Sequence, residues 1–174
     1  MLNPDSQAPD WLREIETILD ELNEGVVVAD SNSRVVFVNE ALLRLGGYQR
    51  EEVQNHTPDT IFPPEDVPNL MLQRAMTERF GHHRNEFYLP SHDGNKIPVL
   101  YSARMVKGPD GQEYRLIILT DISVQKRVEE QLRQSNVLLE ERQKEIEDEL
   151  LLAARVQQSL APRSLVWSNV AVES

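Results

Sequence analysis

Read as apolar and polar positions, the chain falls into a mixed segment of alternating character and a long, uniformly helical one. Trp11, Ile15, Ile18 and Leu22 are spaced four, three and four apart, which predicts an amphipathic helix after Asp10, an N-cap type. Gly25–Ala29 is a continuous apolar strand, Asp30-Ser31-Asn32-Ser33 is turn chemistry, and Arg34–Val38 makes the return strand of a hairpin. Asn39 caps a short helix over Glu40–Leu45, with Ala41, Leu42 and Leu45 inward and Gly46-Gly47 as its stop. Tyr48–Phe62 holds short helical pieces at best. Glu65–Phe80 returns to helix through Val67, Leu70, Met71, Ala75, Met76 and Phe80, with Pro68 tolerated in the first turn.

Arg84–Leu89, Lys96–Val106 and Tyr114–Thr120 then alternate as strands, with Asp93-Gly94 and Gly108-Pro109-Asp110-Gly111 turning the chain between them. Pro98 places the middle one of these at a solvated edge, because proline cannot donate to a ladder. Five antiparallel strands with the helices grouped between the second and third make an α+β fold.

From Val124 to Leu160 there is no Gly or Pro, and Glu, Gln, Leu, Arg and Ala dominate, which predicts one helix roughly 55 Å long at ~1.5 Å per residue. Asp121 and Ser123 at its start are both capping types. Its apolar stripe exceeds what one adjoining domain can cover, so the stripe calls for a second copy, parallel or antiparallel. One heptad frame runs Val128, Leu132, Ser135, Leu139, Arg142, Ile146, Glu149, Ala153, Val156 and Leu160. Another runs Leu132, Asn136, Leu139, Gln143, Ile146, Leu150 and Ala153. Two near-degenerate frames permit a register shift, or simply describe a weak coiled coil. The face of Trp11, Ile15, Ile18 and Leu22 has the geometry of a pairing seam and equally that of a cover for the adjacent domain. Seven acids against Arg13 alone in residues 1–24 limit parallel packing of two such helices.

Composition narrows the function. The net charge of −11 argues against nucleic-acid and anionic-membrane partners. No apolar run of membrane-spanning length occurs and the acidic N-terminus lacks the marks of a signal peptide, so a cytoplasmic location is expected. Without cysteine there is no disulfide, no thiolate catalysis and no cysteine-based flavin photochemistry. His56, His82, His83 and His92 lack carboxylates at metal-ligand spacing, and no nucleophile, base and orienting group assemble, so the chain reads as non-catalytic.

The order Asn39-Glu40-Ala41, Gly47-Tyr48, Asp93-Gly94 and Asp121-Ile122-Ser123 over residues 23–123 resembles a PAS domain, the last triplet carrying Ser where the family has Thr. The resemblance implies a five-stranded antiparallel sheet cradling small helices, a sensor or dimerisation role, and a signal hinge at Asp121, Ile122 and Ser123. The dimer seam would comprise Trp11, Ile15, Ile18, Leu22, Val128, Leu132, Leu139 and Ile146. Residues 1–22 form a lead and amphipathic helix and 124–161 a coiled-coil signalling helix.

A second, shorter resemblance joins Glu149–Pro162 to the helix that opens bacterial PPM-family serine phosphatases of the sporulation and stress-response type. Residues 162–174 would begin that domain, with Val170-Ala171-Val172 as its first strand. This implies a phosphatase in cis acting on a phosphoserine of a small anti-sigma-factor antagonist. A histidine kinase, a diguanylate cyclase or a passive dimerisation module remains open.

The expected lining of the concave face is Met71, Met76, Phe87, Tyr101, Leu116 and Ile118, with Arg74, Tyr101 or Arg104 as donors to a small polar metabolite; ordinary core packing is the plain alternative. Haem-binding members of the family carry a His on the long helix, and Glu65–Phe80 has none. At most one of His82 and His83 can face inward. Trp11 and Trp167 lie outside the expected core, where a redox flavin would want one. No cofactor follows from the sequence.

Overall fold

The computed structural model describes residues 9–160. In chain order these form α1 (Asp10–Asp20), β1 (Gly25–Ala29), β2 (Val35–Val38), α2 (Glu40–Gly46), α3 (Arg50–Val53), α4 (Pro58–Ile61), α5 (Val67–Phe80), β3 (His82–Pro90), β4 (Lys96–Lys107), β5 (Glu113–Asp121) and α6 (Ser123–Leu160). The five strands make one antiparallel sheet in the order β2-β1-β5-β4-β3. The first and last strands are therefore neighbours at its centre. β5 is paired along its length, with β1 from Gly25↔Leu119 to Ala29↔Arg115 and with β4 from Val99↔Asp121 to Lys107↔Glu113.

Alternation along the strands divides the core in two. The inner face, under α2 to α5, buries Val27, Val99, Tyr101, Ala103, Phe87, Leu89 and Leu119. The outer face buries Val26, Val28, Val36 and Tyr114 beneath α1, through Leu12 with help from Trp11 and Leu19. Trp11 meets Tyr114 edge to face at 5.5 Å. Leu12, which the seam spacing passes over, is the buried anchor of α1 at 1% exposure. Ile15, Ile18 and Leu22 stay exposed at 36%, 66% and 39%. The helix thus covers the sheet with one side and presents the expected seam on another, Trp11 belonging to the covered side. Pro9 is the N-cap residue and Asp10 the first helical one, with no side-chain cap bond, so Asp10 acts as a negative charge at the positive end of the helix, 4.0 Å from Arg13.

Pro98 is not on an edge strand, since β4 lies between β5 and β3. Its carbonyl accepts from Ile122 N at 3.0 Å, just beyond the last β4–β5 pair, Val99↔Asp121. A strand residue's N–H and C=O point to the same side. The missing N–H of Pro98 therefore faces the place where β5 has already ended.

One buried side chain ties α1, β1 and α2 together. Asn39, fully buried, accepts at Oδ1 from Val26 N at 2.8 Å and Leu42 N at 3.1 Å, and donates from Nδ2 to the Leu19 and Glu24 carbonyls at 2.9 and 3.0 Å. Both donors and both lone pairs are used. The α2 helix then ends at Gly47 with φ 72°, a left-handed stop that glycine takes without a Cβ clash.

Two outcomes follow. Asn39→Ala orphans buried backbone groups on three elements and costs about 3–5 kcal/mol, read as a lowered urea midpoint. Tyr114 donates to Asp110 Oδ2 at 2.6 Å, and burial first, then that carboxylate, pushes its phenol up to about 12. Because the folded value lies above the ordinary one near 10, this stabilisation is whole below pH 10 and is lost as pH rises through about 12. Absorbance titration of phenolate shows that last step in the native protein and not in Tyr114→Phe.

Candidate ligand cavity and signal hinge

Between the inner face of the sheet and α2 to α5 lies a cavity of about 90 Å³. Its wall is apolar, with Val27, Leu42, Val53, Ile61, Phe62, Leu70, Phe87, Ile117 and Leu119, except for Ser33, Tyr101 and Arg115. Phe87 and Tyr101 stand where the sequence places them. Met71, Met76, Leu116 and Ile118 do not line it. The β5 expectation is off by one residue, and on a period of two that reverses the face: Arg115, Ile117 and Leu119 point inward, whereas Leu116 packs with the α1 cluster.

Among the expected donors only Tyr101 reaches the cavity. Arg74 is engaged with Glu78 at 2.6 Å and the Ser31 carbonyl at 3.2 Å. Arg104 is exposed on a strand whose buried members are Val99, Tyr101 and Ala103, so it lies on the opposite face. The polar residues that do reach it, Arg115 and Ser33, were legible only in the parity of β5 and the geometry of the first hairpin. Ser33 has φ 64°, a left-handed conformation costly for a residue with a Cβ, and is 2% exposed. Asp30 Oδ1 holds this turn by accepting from Asn32 N at 2.8 Å and Arg34 N at 2.9 Å.

Arg115 is 4% exposed. Nη2 donates to Ser33 Oγ at 2.9 Å and Nη1 to Glu78 Oε1 at 3.3 Å. Burial draws its pKa downward against the pull of Tyr101 and Glu78. Tyr101 is raised, again by burial first.

The inward side of α5 is a correction as well. The apolar positions Val67, Met71, Met76 and Phe80 are half-buried or exposed, and the buried residues are Gln73 and Thr77. Thr77 Oγ1 donates to the Gln73 carbonyl at 2.9 Å, and Gln73 Oε1 lies 3.0 Å from His83 Nε2. Leu70 of the first turns lines the cavity, but beyond it the helix meets a polar wall of His83, Tyr101 and Arg115, so polar side chains are what that part of its inner face requires. Of the two adjacent histidines, His83 turns toward α5 and His82 is exposed.

The exit from the sheet is tightly held. Asp121 Oδ1 accepts from Ser123 N at 2.7 Å, Ile122 N donates to the Pro98 carbonyl, and the Ile122 side chain is buried at 7% exposure. One turn later Lys126 Nζ pairs with Glu86 Oε2 of β3 at 2.6 Å. Residues 128–160 form a separate unit, and within it Val128, Leu132, Leu139 and Ile146 are 57%, 61%, 62% and 52% exposed.

The sequence pattern of the PAS domain matches residues 23–124. The chain belongs to the PAS domain family. The Escherichia coli oxygen sensor protein DosP is 31% identical to it over 121 residues, 63% of this chain, and the chain spans 14% of that protein's length. A PAS domain from Colwellia psychrerythraea superposes with a TM-score of 0.55 at 21% identity, over 66% of this chain and 98% of that one. The PAS domain of a two-component sensor histidine kinase gives 0.52 at 14% identity, over 66% and 99%. Those two structures share the PAS fold with this chain.

Within this PAS domain the exit depends on Ile122. Ile122→Ala removes a buried wedge and costs about 2–4 kcal/mol by chemical denaturation, and the amide of residue 122 exchanges faster than those of β1.

Proposed function

We propose that this chain is the sensor and dimerisation region of a cytoplasmic bacterial signalling protein. A change at the PAS cavity passes along β5 and the hinge Asp121, Ile122 and Ser123 to the long helix, which pairs with a second copy and biases an output domain. The observation that carries this reading is continuity. The strand whose Arg115, Ile117 and Leu119 line the cavity is the strand whose end is Asp121, followed at once by the hinge and α6.

The pairing is supported by the apolar seam of Val128, Leu132, Leu139 and Ile146, which is more than half exposed in one chain. Ile15, Ile18 and Leu22 on α1 are a second surface for the same partner. No described helix is long and apolar enough to cross a membrane. A PPM-type serine/threonine phosphatase is the proposed output, on the resemblance of Glu149–Pro162 alone. The end of that segment and Val170-Ala171-Val172 lie outside the described residues, as does Trp167. A histidine kinase or diguanylate cyclase output is the alternative.

Oxygen sensing, the role of DosP, is not carried over through a haem. A cavity of about 90 Å³ is far below the roughly 300 Å³ at which pockets for drug-sized ligands begin, and His83 Nε2 is already against Gln73. The same small volume favours a second reading, in which the domain sets subunit geometry and senses nothing.

Because the chain has no cysteine, single substitutions report pairing cleanly. Leu132→Cys, Leu139→Cys and Ile146→Cys are expected to cross-link between two copies, while Gln134→Cys and Glu141→Cys on other sides of the helix do not. Native mass spectrometry gives twice the chain mass. A monomer, or cross-linking independent of helix face, would overturn the paired-helix mechanism. One invariant register in every signalling state leaves the passive module.

A further inference from the structure

Packing alone does not account for Arg115. A guanidinium offers five N–H donors in a rigid fork. Two nitrogens of Arg115 are satisfied by Ser33 and Glu78, but its buried Nε–H has no acceptor among the described residues. Its charge is also under-compensated. Glu78 Oε1 is shared with Arg74, which holds it at 2.6 Å against 3.3 Å for Arg115, so the three groups carry a net positive charge. Asp30 adds only a more distant attraction, with its Oδ1 already taken by two backbone amides. A buried, incompletely paired cation is costly, and a protein that keeps one in an apolar wall gains when an anion joins it.

The surroundings define that anion. The cavity is lined by Arg115 at a polar end and by Val27, Phe87, Ile117 and Leu119 elsewhere. On the scale by which a cavity of about 150 Å³ takes benzene, about 90 Å³ takes roughly four heavy atoms. We propose that the cavity binds a short-chain monocarboxylate, its carboxylate accepting from the Arg115 guanidinium and its alkyl end resting on Phe87 and Leu119. A carboxylate matches the planar fork, supplies the missing single charge, and leaves an apolar remainder suited to the rest of the wall. Phosphate and larger polyanions would bring further charge that no second buried cation among the described residues meets.

This identifies the signal of the cavity invoked above and rests on that reading only for its consequence, not for the binding. The test uses the whole chain with acetate, propionate, butyrate and hexanoate as probes, and propanamide as a neutral isostere, followed by calorimetry and by the Arg115 Nε–H resonance in proton–nitrogen spectra. The expected result is saturable binding that peaks at acetate or propionate, falls by hexanoate and moves the Arg115 resonance. Propanamide binds at least tenfold more weakly, and Arg115→Gln weakens propionate at least tenfold. Should that variant unfold, the wild-type resonance decides by itself. An Arg115 resonance unmoved by any carboxylate, or equal binding of propanamide, overturns the proposal. Propionate binding that leaves the inter-helix cross-links unchanged upholds the site and overturns the signalling reading instead.

Discussion

Strand β5 is bonded on both sides, and the rest of the domain is arranged around that constraint. A central strand cannot slide or tilt alone, because it would break ladders with β1 and β4 together. Its inner residues are therefore fixed in depth against the helices, which is what allows a buried arginine to be held against Ser33 and Glu78. Its last residue is fixed too, so that the helix beginning at Ser123 starts from a defined point. Asn39 does the corresponding work at the start of β1, which lies beside the end of β5, joining it to α1 and α2 by four side-chain bonds.

Rigidity of this kind suits transmission better than a mobile lid does. A strand locked between two neighbours transfers a displacement along its length instead of absorbing it, and β5 is followed at once by the buried Ile122, whose amide is bound to Pro98. Proline at that position gives up a donor only where β5 no longer needs one. The ion pair from Lys126 to Glu86 extends the same anchoring to the far edge strand. Beyond Arg127 the helix carries apolar side chains that one copy leaves in water, which is the condition for association.

Much of this fold is written plainly in the chain. The continuous apolar run of β1, the turn chemistry after it, Asn39 as a cap, the glycine stop of α2 and the unbroken α6 are local signals with local causes, and each lies within a residue or two of its expected place. What was hidden depended on partners far away in sequence. A short apolar run such as Leu116-Ile117-Ile118-Leu119 is covered at least in part on both faces, so hydrophobicity cannot say which residues face the cavity. The inner face of α5 is polar because it meets Tyr101, His83 and Arg115, none of which a helical periodicity can see. Leu12 is buried in preference to Ile15 because the sheet, not a second helix, is its nearest apolar surface.

The central claim is that the cavity and the helix start are mechanically one through β5. Amide hydrogen exchange in the native protein and in Ile117→Ala, which loosens the cavity wall without touching the exit, tests it most directly. The account predicts faster exchange at Ile122 and Ser123 as well as beside residue 117, with β2 unchanged. Faster exchange confined to the neighbours of residue 117, with the exit as protected as before, would contradict it.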